Sequence, residues 1–348
     1  MAVTYLTKTE LGHFLQHNGN IEASVRSALL DSLEHSGVFQ DGSEDGTRAW
    51  FESGPFHGGA VPPTIQILDV SKSTTVETNP NLKAIILDDN GAKLDVTGGH
   101  NDVFVAAGQG ADTINLFDSG NDTVYGGGGN DVIHGGIGNE SLVGGAGNDS
   151  IYGGGGHDTL DGGAGNDLLV SGEAANEGFP GNGGSHGSGG SHGNGGSHGN
   201  GGSHGHGAST DITASPFPVS VFGPSTLSGG AGNDTLVGAQ GDVLRGGAGN
   251  DQFWLYSAGS RDANSTLQGG SGNDIFHIQS HVGNDTIIGG SGNDTVDFGD
   301  RSFFDVTKID VDKSTSTYTF HFSDNQTVAV SGVENLHFTD QDVTLPKP

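Results

Sequence analysis

Apolar positions in the middle of this chain recur on a period of nine. Val124, Ile133, Leu142, Ile151, Leu160 and Leu169 keep that spacing. In Thr159-Leu160-Asp161 the order polar, apolar, polar predicts a short half-buried strand that turns one side chain inward. An acid stands two positions before each aliphatic residue, at Asp122, Asp131, Glu140, Asp149, Asp158 and Asp167. Glycine pairs before the acids supply turns of positive φ at no steric cost. Turn plus strand makes half a coil, so two nine-residue units complete one, and coils stack as parallel strands about 4.8 Å apart. The aliphatic column becomes a thin core. Acids two units apart then share an edge: Asp131, Asp149 and Asp167 on one, Asp122, Glu140 and Asp158 on the other.

The pattern changes outside this stretch. Thr7 and Glu10 form a capping-box pair ahead of Leu11, Phe14 and Leu15. A second helix is predicted with Asn20 as its cap, Ile21, Val25, Ala28, Leu29 and Leu33 on one face, and Gly37 at its end. It reads either as a docking helix or as one that packs on the start of the coils. Residues 38–63 read as a loop. Alternating apolar residues over 64–105 predict leading coils without full acidic turns, shielding an open edge. Past the last repeat the texture changes again. Phe303-Phe304, Val306, Ile309, Val311, Tyr318–Phe322, Val328–Val330, Leu336 and Phe338 read as short strands that cover the opposite end with aromatics.

Between the periodic blocks lies GGSHGSGGSHGNGGSHGNGGSHGHG, a Gly/Ser-rich tract expected to be flexible coil. Its histidines, His186, His192, His198, His204 and His206, suit zinc, nickel or copper; the alternative is a plain linker. The chain is therefore expected to divide into a helical cap and loop over 1–63, leading coils and a first repeat block over 64–172, a disordered insert over 173–224, a second block over 225–297 and a β-rich cap over 298–348.

Charge sharpens the picture. Asp and Glu number 42 against 12 Lys and Arg, a net charge of −30, which argues against nucleic acid and anionic membrane surfaces as partners. At roughly 5 Å and an effective dielectric near 20, each neighbouring pair of stacked acids costs about 3 kcal/mol. Columns of acids therefore call for a cation between turns, and carboxylates with turn carbonyls suit a hard ion such as calcium better than magnesium. Hydrophobic residues make up 31%, too few for a conventional core along the whole length, so metal binding and folding are expected to be coupled. There is no cysteine, so neither disulfides nor thiolate sites arise. No apolar h-region opens the chain and no apolar run is long enough for a transmembrane helix.

GGAGNDSIY and its neighbours resemble the RTX repeat, the hemolysin-type calcium-binding nonapeptide. The resemblance covers roughly 97–172 and 225–297. It implies an all-β fold, a right-handed parallel β-roll in two blocks, with calcium held between turns. By that resemblance the calcium ligands are Asp102, Asp112, Asp122, Asp131, Glu140, Asp149, Asp158, Asp167, Asp234, Asp242, Asp251, Asp274, Asp285 and Asp294. Glu140 and His157 depart from the usual Asp and Asn, and irregular spacing in the second block predicts fewer complete sites there. The resemblance also implies export by type I secretion without a cleaved N-terminal signal, with the signal near the C-terminus, and folding outside the cell.

Enzyme signatures are lacking. There is no H-E-x-x-H, and the GGSHG matches to a nucleophile elbow lack the strand and helix that motif requires. His134, His157 and His277 fall at repeat positions and read as surface residues. The expectation is a secreted, non-enzymatic calcium-binding protein that acts structurally or by contact with a cell-surface or polysaccharide ligand. The alternative is an extracellular protein that handles zinc or nickel through its histidine tract.

Overall fold

The structure, a computed structural model, describes residues 2–18, 21–39, 49–53, 58–61, 64–70, 72–87, 91–172, 224–256, 263–279 and 283–346. The histidine tract lies outside these residues. Among them, strands form two sheets, one of 15 and one of 13, in which alternate strands of the chain stack in sequence order. Successive coils pair in parallel, so Leu142 lies beside Leu160 in one sheet and Ile151 beside Leu169 in the other. This is a parallel β-roll.

Each half-coil sends one apolar side chain between the sheets. Val124, Ile133, Leu142, Ile151, Leu160, Leu169, Leu227, Leu236, Leu244, Leu267, Ile287 and Val296 are all fully buried in one continuous core. The strands of the first sheet are longer, as in Ser141–Ala146, than those of the second, as in Ser150–Tyr152. Toward the C-terminal end the core carries rings: Phe253 stacks on Phe276 at 4.6 Å and Phe298 on Phe338 at 5.0 Å.

The two repeat blocks stack as neighbours in a single roll. Thr159–Ala164 pairs directly with Thr226–Ala231, and Leu168–Val170 with Thr235–Ala239, in the same register as the pairs before them.

Both ends are covered. The helices Lys8–Asn18 and Ala23–His35 bury Leu11, Leu15, Val25, Leu29 and Leu33 against Ile67, Ala84, Ile86, Phe104 and Ala106, the outward face of the leading strands. Strands covered on both faces read as continuous apolar runs, which explains Ala84–Leu87. Thr7 Oγ1 accepts from the Glu10 N–H at 3.2 Å while Glu10 Oε2 accepts from the Thr7 N–H at 2.8 Å, closing the capping box. The second helix is preceded by Glu22, with no side-chain cap; Asn20 lies outside the described residues. Gly37, at φ 77°, ends it.

Three features differ from the sequence reading. Strands Ala2–Leu6 and Ala49–Ser53 pair antiparallel at the end of the longer sheet, where helices and loop alone were expected. Their partners are far apart in sequence and carry no periodic mark. Phe303–Asp305 is a 3-10 turn capped by Ser302, not a strand, and leaves Phe304 91% exposed. His134 is buried and stacks on Tyr152 at 4.7 Å rather than lying on the surface, because it stands in a column of outward side chains that pack ring on ring.

At the C-terminal end Thr327–Ser331 pairs parallel to the last long coil strand, and Thr317–Phe322 and Val306–Asp312 extend the sheet antiparallel. No helix among the described residues is long and apolar enough to cross a membrane; this says nothing of a β-barrel.

Candidate metal sites along the two edges

The first edge joins the long strands to the short ones through the G-G-x-G-N-D turns. Gly145 and Gly147 have φ of 116° and 134°. A Cβ on either would meet the carbonyl oxygen of the turn before it, at 2.1 Å from Gly127 O and 1.6 Å from Gly129 O. Both conformation and close stacking therefore demand glycine. Asn148 ties neighbouring turns: its N–H donates to Asn130 Oδ1 and its Oδ1 accepts from the Asn166 N–H, both at 2.8 Å.

The acids form a second ladder beside the asparagines. Asp149 Oδ1 accepts from the Asp131 N–H, Asp167 Oδ1 from Asp149, and Asp234 Oδ1 from Asp167, each at 2.8 Å. The ladder runs on through Asp251, Asp274 and Asp294 at 2.9 Å and ends on Glu334 Oε2. At its start Asp131 accepts from Asp112, and Asp112 from Ala92.

Each of these acids thus uses one oxygen and leaves the other in place. Oδ2 of Asp131, Asp149, Asp167, Asp234, Asp251, Asp274 and Asp294 is buried and accepts no hydrogen bond. A buried carboxylate oxygen without a donor is costly unless a positive charge meets it. Beside each lies a turn glycine, where neighbouring turns come too close for a side chain. A Cβ on Gly144 would stand 2.3 Å from Asp149 Oδ2 and 2.8 Å from Gly162 O. On Gly162 it would stand 2.4 Å from Asp167 Oδ2 and 2.8 Å from Gly229 O, and on Gly246 2.2 Å from Asp251 Oδ2 and 2.8 Å from Gly269 O. The oxygens that crowd these glycines, carboxylate and main-chain carbonyl, are the donor set of a hard cation. Among the described residues no three His, Asp or Glu side chains converge to hold an ion by themselves. The oxygens on offer are instead one carboxylate per turn with main-chain carbonyls of the next.

Electrostatics agree. Burial, with repulsion from neighbouring carboxylates, pushes Asp131, Asp167 and Asp251 up to about 7 and Asp294 up to about 6. Burial raises Asp149, Asp234 and Asp274 as well. The N–H each accepts opposes the rise and does not cancel it. A cation in contact would reverse the shift, since a nearby opposite charge favours the ionised form.

The second edge is divided. In its first part Asp122 Oδ1 accepts from the Val103 N–H at 2.7 Å, and Asp158 Oδ1 from the Glu140 N–H at 3.1 Å. Asp122 Oδ2, Asp158 Oδ2 and both oxygens of Glu140 are buried without a donor. Burial raises all three acids, and Glu140 and Asp158 lie against each other.

In its second part protein groups fill the same roles. Ser225 and Ser265 stand where the acid would be: Ser225 Oγ accepts from the Asp158 N–H at 3.1 Å and Ser265 Oγ from the Gly241 N–H at 2.9 Å. Asp242 has both oxygens engaged, Oδ1 by the Ser225 N–H and Oδ2 by the Ala239 N–H, each at 2.7 Å. Burial still pushes it up to about 6. Asp285 accepts from the Ser265 N–H at 2.9 Å and from Gln326 Nε2 at 3.1 Å. Gln326 in turn accepts from Arg301, whose guanidinium also donates to Asp324 at 2.7 Å and lies 4.2 Å from the Phe322 ring centroid.

Of the acids expected from the sequence, Asp102 stands one position off the acid column. It occupies the asparagine row, accepting from the Asn121 N–H at 2.8 Å. His186, His192, His198, His204 and His206 lie outside the described residues. Sequence reasoning missed Asp118, Glu334, Ser225 and Ser265. The serines carry a signal in hindsight, since each directly precedes a Thr-Leu pair, as Asp158 does.

The family model of the RTX calcium-binding nonapeptide repeat matches residues 118–139, 134–169, 222–242, 228–256, 261–277 and 278–300. No curated protein matches the chain.

Proposed function

From a chain that carries RTX calcium-binding nonapeptide repeats, we propose a protein that folds on calcium outside the cell and serves as a structural or contact element rather than a catalyst. One observation carries the reading: the column of buried, donorless Oδ2 atoms from Asp131 to Asp294, each packed against a turn glycine. Calcium would supply positive charge shared between turns, held by those oxygens and turn carbonyls. The protein's own residues set the ladder, hold the carboxylates out of water and keep the turns clear of side chains.

A net charge of −30 repels the compact state until cations arrive. Cytosolic calcium is scarce and extracellular calcium plentiful, so such a chain would stay open inside a cell and close after export. Type I secretion, with a signal in the C-terminal segment, fits this order of events. The finished roll offers long stacked strands and an acidic surface, suited to a matrix, cell-surface or polysaccharide contact.

Limited proteolysis tests the switch. With calcium buffered near cytosolic levels, about 0.1 µM, a nonspecific protease should degrade the chain throughout. At about 1 mM, the range of extracellular calcium modules, the roll should survive. Equal digestion at both levels would contradict the proposal.

A further inference from the structure

The outward face of the shorter sheet changes character toward the C-terminal end. Its central column runs Val170, Val237, Trp254, His277, Asp297, each beside the next on neighbouring strands. Aliphatic side chains thus give way to a ring, an imidazole and a carboxylate. Strand alternation sets this face. Phe253, Leu255, Phe276, Ile278, Val296 and Phe298 are buried in the core, so Trp254, Tyr256, His277 and Asp297 between them point outward.

A hollow of about 300 Å³ opens at this place, lined by Trp254, Tyr256, His277, Gln279, Asp297 and Asp300. Trp254 is half-buried. It stacks on His277 at 3.8 Å and 17°, and Tyr256 lies beside it at 6.4 Å and 12°, so the three rings share nearly one orientation. His277 Nδ1 donates to Asp297 Oδ2 at 2.9 Å. That bond fixes the imidazole and leaves Nε2 as its acceptor. Asp297 holds its other oxygen, Oδ1, buried and without a donor. The two side chains are 23% and 26% exposed, so the pair can be reached from solvent. Among the described residues no lysine or arginine lines the hollow.

Rings with a few placed polar groups hold a ligand that is apolar on one side and polar on another. A pyranose is such a ligand, with C–H faces for the rings and hydroxyl donors for the acceptors. Asp297 and Asp300, on a chain of net charge −30, repel uronates, sulfated sugars and phosphates. A quaternary ammonium calls for rings that converge on one point as a cage, and these rings are near parallel.

We propose that Trp254, Tyr256, His277 and Asp297 form a subsite for one neutral pyranose unit of a polysaccharide. The sugar's C–H face packs on the tryptophan and tyrosine rings, and its hydroxyls donate to His277 Nε2 and to Asp297. The calcium turns take no part in the contact. The inference rests on the reading of the calcium-folded roll as a contact element.

Affinity electrophoresis of the full chain in calcium tests it, in gels that hold β-glucan, xyloglucan, galactomannan or dextran, with alginate as the anionic arm. At least one neutral polymer should retard the wild type, and alginate should not. Trp254→Ala should weaken that retardation about tenfold or more, as the loss of a buried aromatic anchor does. Asp297→Asn, which keeps the shape, should weaken it several-fold, and it decides alone should Trp254→Ala not fold. Retardation by no neutral polymer, retardation by alginate alone, release by choline, or undiminished retardation in the variants would each overturn the subsite. Circular dichroism of the same samples separates the two readings. A chain that folds on calcium but ignores neutral glycans loses the subsite alone, whereas one without a calcium-induced transition loses the broader reading as well.

Discussion

The N–H of Asp167 donates to Asp234 Oδ1 at 2.8 Å, the same bond at the same length that joins Asp149 to Asp167. The first pair is 67 positions apart in sequence and the second 18. The acid ladder crosses the intervening segment without a change in geometry.

It follows that the tract is not needed for the roll to close. Shortening it should leave folding intact, since loop closure changes by only about 0.6 kcal/mol per doubling of length. Deleting 184–206 is expected to leave the midpoint and amplitude of the calcium-induced circular dichroism transition nearly unchanged. A deletion variant that no longer folds with calcium would show that the tract is structural.

The second edge past Ser225 should be indifferent to metal. Asp251→Asn, on the first edge, should lower the number of bound calcium ions and raise the midpoint of the calcium titration several-fold. Asp285→Asn should leave the count unchanged, since Ser265 and Gln326 already serve its oxygens. Its cost should appear as about 1–3 kcal/mol of stability at saturating calcium, the range for disturbing a buried hydrogen-bonded group. Equal losses of calcium in the two variants would contradict the division of that edge.

Protons should in part stand in for calcium. The first-edge acids are raised by burial from the ordinary carboxylate range to about 7 at Asp131, Asp167 and Asp251. Between those values and the unfolded value of about 4, the metal-free roll binds more protons than the unfolded chain. Its stability therefore falls as pH rises from about 4 through about 7. In chelator, acidification from about pH 8 to about pH 5 should therefore favour the folded form and increase the β-sheet signal of the metal-free chain. A spectrum in chelator that does not change across this range would refute the burial of these acids.

Turn glycines should tolerate no side chain where two turns touch. Gly147→Ala puts a Cβ 1.6 Å from Gly129 O at a φ of 134°. It should cost about 3 kcal/mol or more in saturating calcium. Ile137, at the variable third position of its turn and 57% exposed, should accept alanine within about 0.5 kcal/mol. Denaturant melts of both variants decide the matter, and similar stabilities would argue against the stacking of these turns.

Much of this architecture was legible in the sequence because it is periodic. The aliphatic column at Leu142, Ile151 and Leu160 and the assignment of Asp131, Asp149 and Asp167 to one edge follow from spacing alone. The loss of free carboxylate oxygens at Asp242 and Asp285 does not. It depends on Ala239, brought close by a turn one residue short, and on Gln326, 41 positions away. Asp118 escaped notice because it occupies a glycine position rather than an acid position. The pairing of Ala2–Leu6 with Ala49–Ser53 leaves no trace in a period, since it occurs once.

Far-UV circular dichroism of the full chain in chelator, in calcium and in magnesium tests most directly whether cations at the donorless Asp oxygens hold the turns together. The account predicts a largely unordered spectrum in chelator, a β-rich spectrum on adding calcium, and little gain with magnesium. A β-rich spectrum in chelator, unchanged by calcium, would contradict it.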